Sequence, residues 1–482
     1  MDRERLFRRL FSGTLWQGAG LLVANIASFA TKLLLARLLV PEYFGLVGMA
    51  VVFTGLIQTI EKLGIEQALI QRPDDQIDDD DLITAHLGAI ITAGLLYLLV
   101  ILPGAPLVAR FYEEPALTAI IIVLALPVLI EPWAIIHKIR LKRRLRFKRL
   151  AKVEMVATVL GAISAISLAL LGAGVWALVA QWVVFAAATT LLLYHIEAAL
   201  PEGRFRWPAW WRILHFGAYV TGHRICSFLS KQSDYLIVGK LVGAATLGAY
   251  TIAFLLTDAL RSKLMAVLGR VLFPAYSRLQ GDLPALNRTY LASIRIQTLV
   301  VAPILCALFI CSDPILLYAF GEEWLPGSAA LQLLAIAALI HTIGGTNSAA
   351  LKAVDRPDLS FKVRLFETFA VMIPALLLLV PSHGLVGAGL AVIAAKLTSR
   401  LAYHWQMRIH IGTTEAQVLK AILPALSSVV AMGLALWALT DRFPPTSLIH
   451  TLALITLSTL VYCLVALPQV HRECIELWER FG

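Results

Sequence analysis

Apolar residues run along this chain in long stretches, separated by short polar and basic segments. A helix that crosses a bilayer needs about 20 mostly apolar residues. Fourteen segments meet that requirement, at roughly 12–39, 43–69, 82–108, 116–137, 150–171, 174–194, 213–240, 245–275, 288–311, 328–351, 360–380, 385–406, 416–440 and 446–467. They are too long and too uniformly apolar for barrel strands. Backbone groups in hydrocarbon must be hydrogen-bonded within their own segment, so each is predicted to be a helix.

Composition agrees. Of 482 residues, 59% are hydrophobic and 15% charged, against about a quarter charged in a soluble domain. Such a chain cannot cover itself with polar surface, so an all-α integral membrane protein is expected. Its 41 basic and 31 acidic residues leave a net charge of +10. The positive-inside rule accounts for that excess without nucleic acid as a partner. The five cysteines show no metal-ligand spacing and are expected to be reduced. The N-terminal run is too long for a signal peptide and is expected to be retained.

Basic loops set the predicted orientation. Lys138–Arg149 lies between helices four and five, and Arg204, Arg206 and Arg212 between six and seven. Arg278 and Arg288 fall between eight and nine, and Lys352, Arg356, Lys362 and Arg364 between ten and eleven. These loops share a side with both termini, which places the termini in the cytoplasm. The acidic run Asp78–Asp81 falls on the same side. Acidic residues weigh little in the rule, so the orientation stands.

The two halves repeat. Ala36–Gly45 aligns with Gly239–Gly248 at a shift of 203, pairing Arg37 with Lys240 and Gly45 with Gly248. Further on, Leu141-Lys142 and Phe147-Lys148 match Leu351-Lys352 and Phe361-Lys362. The shift spans six helices, an even number, so the repeats are parallel. This predicts two six-helix lobes, residues 1–200 and 201–410, and a helix pair with a short tail in 411–482. Carriers built this way place a substrate path between their repeats.

Ionisable residues inside a membrane are costly and usually face a cavity. Asn25, Ser28 and Lys32 share one face of helix one; Arg224, Lys231 and Asp234 form a stripe on helix seven. Helix eight adds Asp258, Arg261, Lys263 and Arg270, and helix nine adds Arg295. One interpretation is a cationic cavity for phosphate or pyrophosphate, with Lys32, Arg224, Lys231, Arg261, Lys263, Arg270 and Arg295 on its wall and Arg37 and Lys240 at its rim. The other is structural: Arg37, Lys240 and Arg270 snorkel from helix ends, and Asp234 with Lys231 and Asp258 with Arg261 are buried pairs.

Ion coupling needs a carboxylate. Glu61, Glu66, Glu131, Glu154, Asp234, Asp258 and Glu367 are candidates, with Asp234 and Asp258 the best placed to take H+ or Na+. The DxD pattern in Asp78–Asp81 stands beside a membrane helix with no nucleotide-binding domain around it, so a solvated loop is expected. There is no GxxxxGK[ST], GxSxG or HExxH, and neither a cofactor nor a metal is expected.

Several motifs together resemble bacterial polysaccharide flippases: Leu35-Ala-Arg-Leu-Leu-Val-Pro-Glu-Tyr-Phe-Gly45, Glu61-Lys-Leu-Gly-Ile-Glu-Gln-Ala-Leu-Ile-Gln-Arg72, Leu145-Arg-Phe-Lys148, Gly172-Ala-Gly-Val-Trp-Ala-Leu178, Asp234-Tyr-Leu-Ile-Val-Gly-Lys240 and Phe320-Gly-Glu-Glu-Trp324. The likeness is to the lipopolysaccharide, colanic-acid and teichuronic-acid exporters of the multidrug/oligosaccharidyl-lipid/polysaccharide exporter superfamily. It covers roughly residues 10–410. It implies a V-shaped alternating-access carrier in the bacterial inner membrane, not an enzyme. The implied cargo is an undecaprenyl-pyrophosphate-linked oligosaccharide, with membrane lipid and the polysaccharide polymerase and export machinery as partners. The alternatives are a small-molecule antiporter of the same superfamily, which should have an acidic cavity, and a membrane enzyme of polysaccharide assembly, which should have a large extramembrane catalytic part.

Overall fold

The computed structural model describes residues 25–73, 77–196 and 202–481, and every regular element among them is helical. Contacts divide the chain into two compact units, Met1–Gly248 and Ala249–Gly482. Among the described residues, eleven helices are long and apolar enough to cross a membrane. Two of the longest run through points where the sequence predicts separate helices. Their backbones leave helical geometry at Gly243 (φ 80°, ψ 176°) and Gly384 (φ 53°, ψ −128°), between predicted helices seven and eight and between eleven and twelve.

The first unit begins with α1 (25–38). There follow α2 (Pro41–Glu61), α3 (Ile65–Gln71), α4 (Asp79–Leu96), α5 (Leu102–Tyr112), α6 (Leu117–Leu124), α7 (Leu126–Ile130), α8 (Ile135–Arg143), α9 (Phe147–Leu170) and α10 (Val175–Ile196). The long α11 (Trp207–Arg278) continues into the second unit. A π-helical turn, Tyr97–Ile101, joins α4 to α5, and a 3-10 turn, Glu131–Ala134, joins α7 to α8. Pro41 starts α2 at a position where a missing N–H costs nothing. One core gathers Ile65 and Leu69 of α3, Ala85 and Ala89 of α4, Ile136 and Ile139 of α8, and Trp210 and Ile213 of α11.

The acidic run has a structural task. Asp78 caps α4, its Oδ1 accepting the backbone N–H of Asp81 at 2.7 Å. Asp79, Asp80 and Asp81 fill the first turn, where negative charge suits the helix dipole. Basic residues close on it from both the preceding α3 end and the start of α11: Arg206 lies 2.7 Å from Asp78 and 3.2 Å from Asp81, and Arg72 and Arg212 are each 3.6 Å from Asp81. The Asp78 carboxyl is held below the usual carboxylate range, first by the Asp81 N–H and then by the Arg206 guanidinium.

The second unit contains α12 (Leu283–Ile310), α13 (Ser312–Ala319), α14 (Ser328–Thr342), α15 (Asn347–Ala353), α16 (Pro357–Leu365), α17 (Ile373–Ile411), α18 (Glu415–Arg442) and α19 (Leu448–Phe481). Helix α12 packs against α14 and α18, and α18 against α19. Met432 and Leu436 of α18, Leu454 and Tyr462 of α19, Ala307 of α12 and Cys311 share a core. The Tyr462 hydroxyl donates to the carbonyl of Leu299 at 2.7 Å, which satisfies a polar group that hydrocarbon would leave bare. Thr414 and Gln417 form a reciprocal capping box at the start of α18. The outward faces are apolar, with Leu434, Ile449 and Leu464 exposed, as a lipid-facing surface requires.

Candidate functional site

The site in the first unit begins with a helix break. Helix α2 stops at Glu61, and Lys62 caps it. Leu63 (φ 41°) and Gly64 (φ 61°) then take left-handed backbone before α3 restarts. Gly217 of α11 lies so close that a methyl on it would stand 1.7 Å from the Leu63 carbonyl oxygen. This contact holds α11 against the break, so side chains from both elements share one space.

An open pocket of about 410 Å³ results, lined by Thr59, Lys62, Arg224, Ser227, Phe228 and Lys231. Spacings of three and four put Arg224, Ser227 and Lys231 on one face of α11. The same rule places Thr59 and Lys62 together at the end of α2. The lining has three cations and no carboxylate. Neither Arg224 nor Lys231 has an ion-pair partner among the described residues. Arg224 and Lys231 are therefore free to give charge-assisted hydrogen bonds to an anion in this open pocket.

A second cavity of about 270 Å³ lies next to it and shares Lys62 and Arg224 as wall. Its other charged residues are Glu61, Glu66, Glu131, Lys138 and Glu154, and α10 contributes Thr189 and Thr190. Lys62 is 3.7 Å from Glu131, and Lys142 pairs with Glu66. Glu61 is only 3% exposed and has neither a hydrogen bond nor an ion pair among the described residues. Two further oxygens on this lining, Gln67 Oε1 and Thr189 Oγ1, are buried without hydrogen-bond partners.

The structure brings together two of the expected cavity residues, Arg224 and Lys231. Lys32 is half-buried on α1, and Arg37 is exposed. Lys240 pairs with Glu113 at 2.6 Å and sits 5.5 Å from the Phe111 ring centre. That hydrogen bond holds the Glu113 carboxyl below its usual range. Asp234 is buried, and its Oδ1 accepts the backbone N–H of Tyr235 at 2.9 Å. In the second unit Asp258 and Arg261 pair across one helical turn, and Arg295 Nε donates to the Ala421 carbonyl of α18 at 3.2 Å. The side chains of Lys263 and Arg270 lie outside the described residues. Lys396 pairs at 2.6 Å with Glu367, which stands in a π-helical stretch, Phe366–Met372.

Several pocket residues were not singled out from sequence, among them the cations Lys62 and Lys138 and the hydroxyls Thr59 and Ser227. Lys62 stands inside the motif Glu61-Lys-Leu-Gly64, where a cation at the end of an apolar run and just before a glycine resembles any loop lysine. Lys138 opens the basic segment that the positive-inside rule had already explained.

A family model described as polysaccharide biosynthesis protein matches residues 34–329. The chain is 24% identical over 450 residues to the lipopolysaccharide biosynthesis protein WzxC of Escherichia coli, with 89% of each chain covered. It is 26% identical to the succinoglycan biosynthesis transport protein ExoT of Rhizobium meliloti, covering 71% of this chain and 69% of that one. It is also 26% identical to the teichuronic acid biosynthesis protein TuaB of Bacillus subtilis, covering 73% of each. Among solved structures, the lipid II flippase MurJ in an inward closed conformation superposes with a TM-score of 0.73 at 15% identity, covering 96% of this chain and 100% of that one. An inward-facing multidrug resistance transporter of the MATE family, described as of the MOP superfamily, superposes with a TM-score of 0.63 at 19% identity, over 81% of this chain and 94% of that one. At these identities the structural likenesses establish the fold alone.

Proposed function

The chain belongs to the polysaccharide biosynthesis protein family, and from that membership we propose that it translocates an undecaprenyl-pyrophosphate-linked oligosaccharide across the bacterial inner membrane. The cargo is an O-antigen or exopolysaccharide repeat unit, moved from the cytoplasmic to the periplasmic leaflet by alternating access. Both termini lie in the cytoplasm, following the basic loops. The observation that carries this reading is the carboxylate-free pocket where Lys62, Arg224 and Lys231 converge. A pyrophosphate carries its charge on several oxygens, and moving it bare through hydrocarbon costs many kcal/mol. Arg224 offers a planar fork of N–H donors, Lys62 and Lys231 offer point charges, and the Ser227 hydroxyl adds one more donor. Phe228 gives the pocket an apolar wall. A pocket for cationic drugs would need the opposite sign, so the small-molecule antiporter gains no support here.

The test is lipid-linked oligosaccharide flipping in proteoliposomes. The combined variant Lys62→Gln, Arg224→Gln and Lys231→Gln should fold, insert and lose transport. Flipping by that variant at the rate of the unmodified protein would refute the pocket's role.

A further inference from the structure

We propose that the second unit binds a small inorganic anion, of the halide class, at the break between α14 and α15, with Arg400, Gln297 and Asn347 as its hydrogen-bond donors. The site is separate from the headgroup pocket and does not depend on it.

The break follows from the sequence. Ile343-Gly-Gly-Thr346 puts two glycines in succession within an apolar run, which lowers helix propensity there. Helix α14 ends at Thr342, and α15 begins at Asn347. The glycines also let polar side chains come close to the backbone. Asn347 Nδ2 lies 2.7 Å, and Arg400 Cδ 3.6 Å, from where a methyl on Gly344 would stand. Gln297 Oε1 lies 2.7 Å from the same position on Gly345. Three membrane-crossing segments therefore meet at two adjacent residues: α12 brings Gln297, α15 brings Asn347 and α17 brings Arg400.

Many polar groups around the break satisfy one another. The Tyr290 hydroxyl donates to Asn347 Oδ1. Ser293 Oγ lies 2.8 Å from the Tyr276 hydroxyl and 3.0 Å from Thr346 Oγ1. What remains is mainly donors. Gln297 is fully buried, and both ends of its amide lack a partner. Asn347 is 1% exposed, and its Nδ2 lacks one as well. Arg400 is half-buried with its Nη1 fully enclosed, and it has no hydrogen bond or ion pair among the described residues. The carboxylates on this unit's spans are taken: Glu367 pairs with Lys396 and Asp258 with Arg261. Glu415 lies 3.6 Å from His404, one turn along α17 from Arg400.

That inventory selects the ligand. An enclosed guanidinium without a counter-charge is expensive. Water fills hydrogen bonds but leaves the charge uncompensated, and a metal ion adds to it. An anion compensates it and accepts the N–H groups of Arg400, Asn347 and Gln297. Gln297 and Asn347 are enclosed within one unit, which suits a small free anion and not a bulky lipid-linked headgroup. Held by α12, α15 and α17 together, the anion ties the break to both neighbouring helices.

Bromide is the probe, added to the purified full chain in nanodiscs, with gluconate as the bulky comparison anion at equal ionic strength. Melting temperature should rise with bromide concentration, as for a ligand that binds only the folded state. Hydrogen exchange should slow in peptides that cover the break, and crystals grown in bromide should show an anomalous peak beside Arg400 Nη1. Arg400→Gln should lose the bromide response. Gln297→Met keeps the size of the side chain and deletes the amide, so it should weaken bromide binding several-fold; it also carries the test if Arg400→Gln fails to fold. The combined variant Lys62→Gln, Arg224→Gln and Lys231→Gln should keep the response, because those residues belong to the first unit. Equal stabilisation by bromide and gluconate overturns the inference. So does a bromide response that survives Arg400→Gln, is unchanged in Gln297→Met or disappears in the combined first-unit variant.

Discussion

Gly45 lies so close to Ala244 that a methyl group on it would stand 1.7 Å from the Ala244 carbonyl oxygen. Gly248 meets Pro41 in the same way and at the same 1.7 Å. Both pairs are related by the 203-residue shift of the repeat, since 41 corresponds to 244 and 45 to 248. The turn at the start of α2 and its repeat partner in α11 therefore cross reciprocally, Gly45 resting on the Ala244 backbone and Gly248 on the Pro41 backbone. This is the self-complementary geometry of a two-fold contact, formed within a single chain.

That reciprocity predicts matched effects. Gly45→Ala and Gly248→Ala should each destabilise by about 3 kcal/mol or more, because the clash is with backbone and no side chain can turn away. The double variant should cost less than the sum, since the first substitution already forces the two segments apart. Thermal melts in detergent of the two single variants and the double variant measure this directly. Additive losses, or a loss at one glycine only, would mean that the crossing is not a reciprocal contact.

The acidic clasp at α4 predicts a pH dependence. The Asp78 carboxyl is held below its normal value by the Asp81 N–H and Arg206. A depressed carboxylate contributes stability that is full above its unfolded value of about 3.9. That stability is lost as pH falls further, through the folded value. Melting temperature should therefore fall more steeply with acid below about pH 4 in the unmodified protein than in Asp78→Asn. The effect should be modest and weakened by salt, because the pair is exposed. Parallel acid titrations of melting temperature, at low and high salt, are the check.

Periodicity and length made the spans legible, and the 203-residue shift pointed to the crossing at Gly45. Arg224 and Lys231 could be grouped from their seven-residue separation on one helix. Lys62 could not be added to them, because its position depends on left-handed backbone at Leu63 and on the approach of Gly217, and no local pattern encodes that contact. The carboxylates follow the same logic. Glu61, Glu131 and Glu154 are spread over 94 residues and converge only through packing, whereas Asp234 and Asp258 drew attention by standing in the basic stripes. Neither of those aspartates lines the two cavities described above. The Asp78–Asp81 run looked like a solvated loop because its partner Arg206 lies more than a hundred residues away.

Asn287 ties the start of α18 to α12. It accepts from the Thr413 hydroxyl at 2.8 Å and donates to Gln417 Oε1 at 3.2 Å, while Gln417 completes the capping box with Thr414. Thr414→Ala should cost about 1 kcal/mol, the usual worth of such a cap. Asn287→Ala should cost more, about 2 kcal/mol, because it strands the buried Thr413 hydroxyl and also removes the donor it gives to Gln417. Hydrogen exchange should place the added opening in the first turns of α18 and leave the first unit unchanged. Equal effects from the two variants, or exchange spread through the whole chain, would rule out this local role.

Arg261 tests whether every buried cation serves the cargo. It is half-buried and already paired with Asp258, one turn away on the same helix. Removing one partner from such a pair leaves an uncompensated charge, so Asp258→Asn alone should destabilise by about 1–3 kcal/mol. Adding Arg261→Gln should recover most of that loss, as a double-mutant cycle measures. Transport should return with stability, because the charge that Arg261 carries is spent on Asp258 and not on the headgroup. A double variant that regains stability and still fails to flip the lipid-linked oligosaccharide would instead place Arg261 on the substrate path beside Arg224 and Lys231.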